Sequence, residues 1–114
     1  MWLLLFDKAV AQSKQQMVRL AKIEVDPLQL QQYNAAVKEQ MTTAVKKEPG
    51  VLTYYAVADK NNPAHITILE IYADTSAYQS HIKTRHFLKY KAIVQNMVRS
   101  LELVDVSLIG AASK

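Results

Sequence analysis

The chain has 114 residues, half of them hydrophobic, with 2 Gly, 3 Pro and no Cys. That length suits one domain with its own core, the composition excludes a disordered chain, and the lack of cysteine excludes disulfides, thiol nucleophiles and cysteine metal sites. The formal charge of +4 comes from 14 basic and 10 acidic residues scattered along the chain; a nucleic-acid surface needs clustered Lys/Arg with interleaved aromatics, so no such partner is expected.

Residues 1–16 read as an apolar arm ahead of a single domain at 17–114. Residues 2–6, Trp-Leu-Leu-Leu-Phe, have no basic start and end at Asp7-Lys8. They are too short for the core of a signal peptide and far too short to span a membrane. A cytoplasmic protein without a membrane partner is expected; Ala9-Val10-Ala11 resembles a cleavage site and makes export the alternative. An apolar arm left in water is unfavourable, so residues 2–6 are expected to pack on the domain, a partner subunit or a neighbouring molecule.

Residues 17–25 read as a strand with apolar side chains on both faces, covered on both sides for part of its length. Asp26-Pro27 opens a helix, Asp as N-cap and Pro at the first position. Leu30, Tyr33, Val37, Met41, Ala44 and Val45 form its apolar stripe. Glu48-Pro49-Gly50 ends it. A second strand at 51–59 alternates Val51, Thr53, Tyr55 and Val57 on one face with Leu52, Tyr54, Ala56 and Ala58 on the other. Lys60 to Pro63 is a turn by composition, and a third strand at 64–73 completes an antiparallel hairpin. It carries Ile66, Ile68, Glu70 and Tyr72 on one face, where a carboxylate is unusual. Asp74 or Thr75 caps the next helix, with a break near Thr84 and Thr84 capping a second piece. A last strand is expected at 101–109.

The order β-α-β-β-α-β predicts an α+β, ferredoxin-like βαββαβ fold: a four-stranded antiparallel sheet with its helices on one face. The other face is rich in apolar positions, which predicts a homodimer through sheet faces.

Residues 70–90 hold the densest set of proton-moving groups. A histidine titrates near neutrality and can deprotonate a phenol or hydroquinone; the resulting anion is electron-rich enough to react with dioxygen. His81 and His86 are therefore the candidate catalytic bases. On an unbroken helix they would point about 140° apart, at roughly 100° per residue, so both can face one pocket only if the helix breaks near Thr84. Glu70 shares a strand face with Tyr72 and either orients a histidine or pairs with a basic residue. Tyr55, Tyr72 and Tyr90 join Glu70 as candidate substrate contacts, since rings stack on flat ligands. Tyr33, Tyr54 and Tyr78 read as core or interface, and His65, Arg85 and Arg99 as solvated surface. No metal site is expected: the histidines lack the HExxH pattern and cysteine is absent. No phosphate loop, nucleotide fingerprint or serine nucleophile motif occurs.

Four pieces in order, Glu48-Pro-Gly-Val-Leu-Thr-Tyr54, Glu70-Ile-Tyr-Ala-Asp74, Ala77-Tyr-Gln-Ser-His81 and Thr84-Arg-His-Phe87, resemble the antibiotic biosynthesis monooxygenase domain, nearest to its quinol monooxygenases. The resemblance runs from about Met17 to about Val106. It implies a dimeric α+β barrel with a pocket between sheet and helices, and oxygenation of phenols or quinols by dioxygen without metal or flavin. His81 matches the family's helix histidine and His86 the one preceding Phe. Haem-degrading relatives use a helix histidine and a ring-distorting tryptophan; Tyr72 stands at the tryptophan position and the ligand position falls near Tyr90, so no haem and no other cofactor is expected. The reading is a cofactor-independent monooxygenase with a small aromatic substrate and dioxygen as partners. A non-enzymatic dimer binding an aromatic ligand and an isomerase of the same fold are the alternatives.

Overall fold

Alternating side chains at Met17–Val25 form β1, and Asp26 then turns the chain by accepting a hydrogen bond from Leu28 N at 3.0 Å. The computed structural model describes residues 15–114; the packing expected of residues 2–6 lies outside them. A 3₁₀ turn at Pro27–Gln29 leads into α1 (Leu30–Lys47). β2 (Val51–Asp59), β3 (Asn62–Tyr72), α2 (Thr75–His81), α3 (Arg85–Val94) and β4 (Val98–Val106) follow. The strands lie in the order β2-β3-β1-β4 with every neighbouring pair antiparallel. This is the predicted ferredoxin-like α+β fold. Among the described residues no helix is long and apolar enough to cross a membrane.

The helices cover one sheet face. Tyr33 and Val37 of α1 and Val94 of α3 pack on Ala21, Ile23, Ile66 and Ile68, while Ala44 meets Val51 and Tyr72 in a second cluster. The α1 stripe departs from the prediction at two positions: Gln40 is buried, and Val45 is 48% exposed. The predicted helix break is present. α2 ends at His81, and Thr84 caps α3 through its side-chain oxygen, which accepts from Phe87 N at 3.3 Å. Asp74 caps α2 by accepting from Ala77 N.

Two strand boundaries and one face differ from expectation. Asp59 pairs with Asn62, so the hairpin turn is only Lys60-Asn61 and β3 starts before Pro63. Asp26 N donates to Met97 O at 2.8 Å, which ties the end of α3 to the end of β1 and lets β4 begin at Val98. In β2, Val51 lies opposite Tyr72 and Thr53 opposite Ile71. Leu52 is thus an extra residue, a β-bulge that reverses the inward–outward alternation. Val51 and Tyr54 consequently share the helix-covered face with Glu70 and Tyr72. Thr53, Tyr55 and Val57 face the other way, which separates Val51 from its predicted companions.

Gly50 sits where α2 crosses the start of β2. A Cβ at this position would lie 2.5 Å from Ala77 Cβ, closer than two carbons can approach. Gly50→Ala is expected to cost about 1–3 kcal/mol by overpacking, read as a lower urea midpoint with an unchanged m-value.

Candidate functional site

Sheet register sorts the inner face into rows. Asp105, Arg19, Glu70 and Tyr54 lie side by side across β4, β1, β3 and β2. The next row toward the other end of the sheet is Leu103, Ala21, Ile68 and Ala56, and the one after it Leu101, Ile23, Ile66 and Ala58. Between this face and the helices is a cavity of about 490 Å³, a size typical of small-molecule sites. Its wall is mostly aliphatic, and its polar groups gather around Glu70, Tyr54, Tyr72 and Arg19. Arg19 donates to Asp105 at 2.9 Å and lies 4.6 Å from the centre of the Tyr78 ring, a cation–π contact.

A chain of hydrogen bonds leads out of this polar end. Tyr72 OH meets Glu70 Oε1 at 2.5 Å, Tyr54 OH meets Tyr72 OH at 3.0 Å, and Tyr54 OH meets His81 Nε2 at 2.8 Å. His81 Nδ1 contacts Glu48 Oε2 at 2.8 Å, and His86 Nε2 contacts the same oxygen at 2.5 Å. The break at Thr84 is what turns the two imidazoles toward one carboxylate. Phe87 packs on His81 with ring centres 4.9 Å apart, and Tyr72 and Tyr78 meet edge to face at 5.2 Å. His81 is fully buried, whereas the side chains of Glu48 and His86 keep 14% and 17% of their exposure. The chain therefore runs from the cavity wall, through a buried imidazole, to a partly wet edge.

Of the sequence-predicted set, Glu70, Tyr72 and Tyr90 line the cavity. His81 and His86 stand behind its wall, His81 joined to it through Tyr54. Tyr55 is 67% exposed on the opposite sheet face, displaced from the cavity by the Leu52 bulge. Its neighbour Tyr54 occupies the inner position instead, and Tyr78 also lines the cavity, so both leave the core-or-interface role assigned from sequence. Tyr90 bonds Tyr33 OH at 2.7 Å. Arg99 reaches Asp26 at 3.3 Å, and His65 lies near the surface, 3.9 Å from Glu24. Sequence reasoning missed Glu48, read as part of a helix stop, and Gln40, whose buried Oε1 has no partner among the described residues. A signal for Glu48 existed: a carboxylate beside a helix C-terminus faces the negative end of the helix dipole, so something must compensate it.

Burial sets the electrostatics. It pushes the Glu70 carboxyl above the usual carboxylate range, against the opposing pull of Tyr72 and Arg19. It pushes the Tyr54 and Tyr72 hydroxyls far above the ordinary phenol range, so both stay protonated. It holds the His81 imidazolium below its ordinary value, against Glu48, which favours the charged ring.

Glu48, His81 and His86 each offer one ligand atom within 4.8 Å of the others, as a metal site would require. The nitrogen–oxygen separations of 2.5 and 2.8 Å are nevertheless hydrogen-bond distances. Two donors sharing a tetrahedral ion at bonds of about 2.0–2.1 Å stay roughly 3.3 Å apart. The arrangement fits a carboxylate accepting two N–H donors better than a ligand set.

These features define a class: a ferredoxin-like α+β domain with a small-molecule cavity whose one polar end connects to a histidine pair. Residues 17–93 match the family model for antibiotic biosynthesis monooxygenase, and the chain belongs to that family. A Bacteroides thetaiotaomicron protein named by family as an antibiotic biosynthesis monooxygenase is 52% identical, with a TM-score of 0.83 over 87% of this chain and 94% of that one. A Lactobacillus acidophilus protein named as a monooxygenase is 32% identical, with a TM-score of 0.76 over 80% of this chain and 44% of that one. A Nitrosomonas europaea structure, 16% identical with a TM-score of 0.77 over 82% of this chain and 90% of that one, shares the fold. No curated protein matches the chain.

The raised Glu70 pKa has a sign that can be tested. The folded state keeps the Glu70 proton to higher pH than the unfolded state does. The stability this supplies is complete below the unfolded value and is lost as pH rises through the folded one. Glu70→Gln does not titrate. The variant is therefore expected to gain stability relative to wild type from about pH 4.5 upward, by at most about 1.4 kcal/mol per pH unit, read by urea denaturation across a pH series.

Proposed function

We propose that the protein is a cofactor-independent monooxygenase that uses dioxygen to oxidise a small phenolic or quinol substrate bound in the cavity. The observation that carries the reading is the cavity's composition. Aliphatic walls suit a flat ring, and one carboxylate beside two phenols suits a hydroxyl at its end. The family and the name borne by the 52% identical relative support it.

In this reading Tyr72, Tyr54 and Tyr90 position the ring, and Glu70 receives the hydroxyl proton. His81 acts as the base behind the wall, reached through Tyr54, and His86 as a second base beyond it on Glu48. Deprotonation makes the ring an electron donor, and the aliphatic wall limits the water around the anion. Oxygen uptake with a panel of hydroquinones and phenols checks this. Substrate-dependent uptake is expected in wild type, with losses of about 10²–10⁴-fold in Glu70→Gln and His81→Ala, the range of general acid–base catalysis. His86→Ala is expected to lose less, since its ring hydrogen-bonds Glu48 rather than Tyr54. Product formed without oxygen would make the protein an isomerase, and binding without turnover a ligand-binding dimer.

We also propose a homodimer through the uncovered sheet face. Its register places Tyr55, Leu69, Leu20 and Val104 in one apolar row across all four strands, with Tyr55 and Val57 67% and 63% exposed. Light scattering is expected to give twice the chain mass, and Tyr55→Lys to shift it toward the monomer. A monomeric wild type would remove the proposal.

A further inference from the structure

Three hydrogen bonds join Glu70 to His81: Glu70 Oε1 to Tyr72 OH at 2.5 Å, Tyr72 OH to Tyr54 OH at 3.0 Å, and Tyr54 OH to His81 Nε2 at 2.8 Å. Each bond needs one proton. Each phenol has one to give, so the two tyrosines supply two. The third must come from an end of the chain, either the Glu70 carboxyl or the Nε2–H of His81. An ionised Glu70 with a neutral His81 whose Nε2 is bare would leave two lone pairs facing each other inside the wall, a costly arrangement. The other ring nitrogen is already committed. Glu48 Oε2 faces both His81 Nδ1 and His86 Nε2, and a single carboxylate oxygen satisfies both when both rings donate. A neutral His81 therefore carries its proton on Nδ1 and presents a bare Nε2 to Tyr54.

We propose that Glu70, Tyr72, Tyr54 and His81 form a proton wire that holds one proton beyond those of its two phenols, carried by Glu70 in one state and by His81 in the other. In the first state Glu70 O–H donates to Tyr72, Tyr72 O–H to Tyr54, and Tyr54 O–H to His81 Nε2. Each proton then moves across its own hydrogen bond. The result is a Glu70 carboxylate and a His81 imidazolium, with both phenols intact and every bond reversed. No proton is gained or lost and no contact is broken.

The surrounding groups pull on the two states from opposite sides. Around Glu70 are Arg19 from β1, Tyr54 from β2 and Tyr90 from α3. The arginine favours the carboxylate, and burial favours the acid. Around His81 are Glu48 from the end of α1, His86 from α3, and Tyr54 and Tyr72 from the sheet. Glu48 favours the imidazolium, while burial and His86 oppose it. Chemically, the wire lets a buried carboxylate become a base without losing its hydrogen bond, because its proton is held by His81 beside the partly exposed Glu48. Use of that base on a bound hydroxyl rests on the oxygenase reading; the wire itself does not.

Histidine ¹⁵N NMR on the full chain tests it without substrate or turnover. Gln at position 70 can still donate to Tyr72 but cannot pass a proton on, which fixes the first state. Wild type is expected to show a His81 imidazolium population near neutral pH. Glu70→Gln is expected to lose it, leaving a protonated Nδ1 and a bare Nε2. In a Tyr54→Phe background the link is cut, and adding Glu70→Gln is expected to change the His81 signals no further. Tyr72→Phe cuts the chain at its other phenol, gives the same decoupling, and serves if Tyr54→Phe does not fold. Identical His81 signals in wild type and Glu70→Gln would overturn the wire. So would an equal Glu70→Gln effect in both backgrounds, which marks a through-space charge effect. Either result leaves the oxygen-uptake test standing on its own.

Discussion

Glu48 lies just past the last turn of α1, beside carbonyl dipoles that repel a negative charge. Two imidazoles hold it there, one from the end of α2 and one from the start of α3. That pair of contacts joins three helices at a single oxygen atom. It also dictates much of what lies around it. The helix must break so that both rings can turn inward, and Thr84 caps the second piece. Gly50, two residues after the carboxylate, must lack a side chain so that α2 can close against the start of β2. With one nitrogen of His81 committed to Glu48, the other is left to face Tyr54, and hydrogen bonds run unbroken from the sheet to the helix layer.

The hydrogen-bonded chain explains how so many polar atoms sit in an otherwise apolar interior. A lone buried carboxyl is costly, and so is a lone buried imidazole. Joined through two phenols, each satisfies its neighbour, and the strain of burial appears as displaced titration rather than as a missing bond. Tyr54 and Tyr72 keep their protons under these conditions, which makes them connectors and not reservoirs. Gln40 Oε1 is the buried side-chain atom that remains without a partner among the described residues. It stands beside the same cavity, where a ligand hydroxyl is a natural donor to it.

Much of the architecture was legible because local signals agreed. Asp26-Pro27, Asp74 and Thr84 all act at the turns where their chemistry placed them. The row of Ile66, Ile68, Glu70 and Tyr72 follows from strand alternation alone. The site was legible only in part, for two physical reasons. Glu48 belongs to it through tertiary approach, since His81 is 33 residues further along the chain, and no local pattern encodes that distance. Tyr55, expected at the cavity as a stacking ring, faces away from it: alternation with Val51 would put it on the inner face, but the extra residue at Leu52 offsets the strand by one.

Everything in β2 beyond the bulge depends on one surplus residue for its orientation. Removing Leu52 would leave a regular ladder with Tyr54 still opposite Glu70, whereas pairing Leu52 into the ladder would turn Tyr54 outward and Tyr55 inward. Two adjacent tyrosines make such a slip survivable, because either ring can fill the inward place. With Val51 held on the inner face, the doublet therefore leaves a phenol on that face in either register.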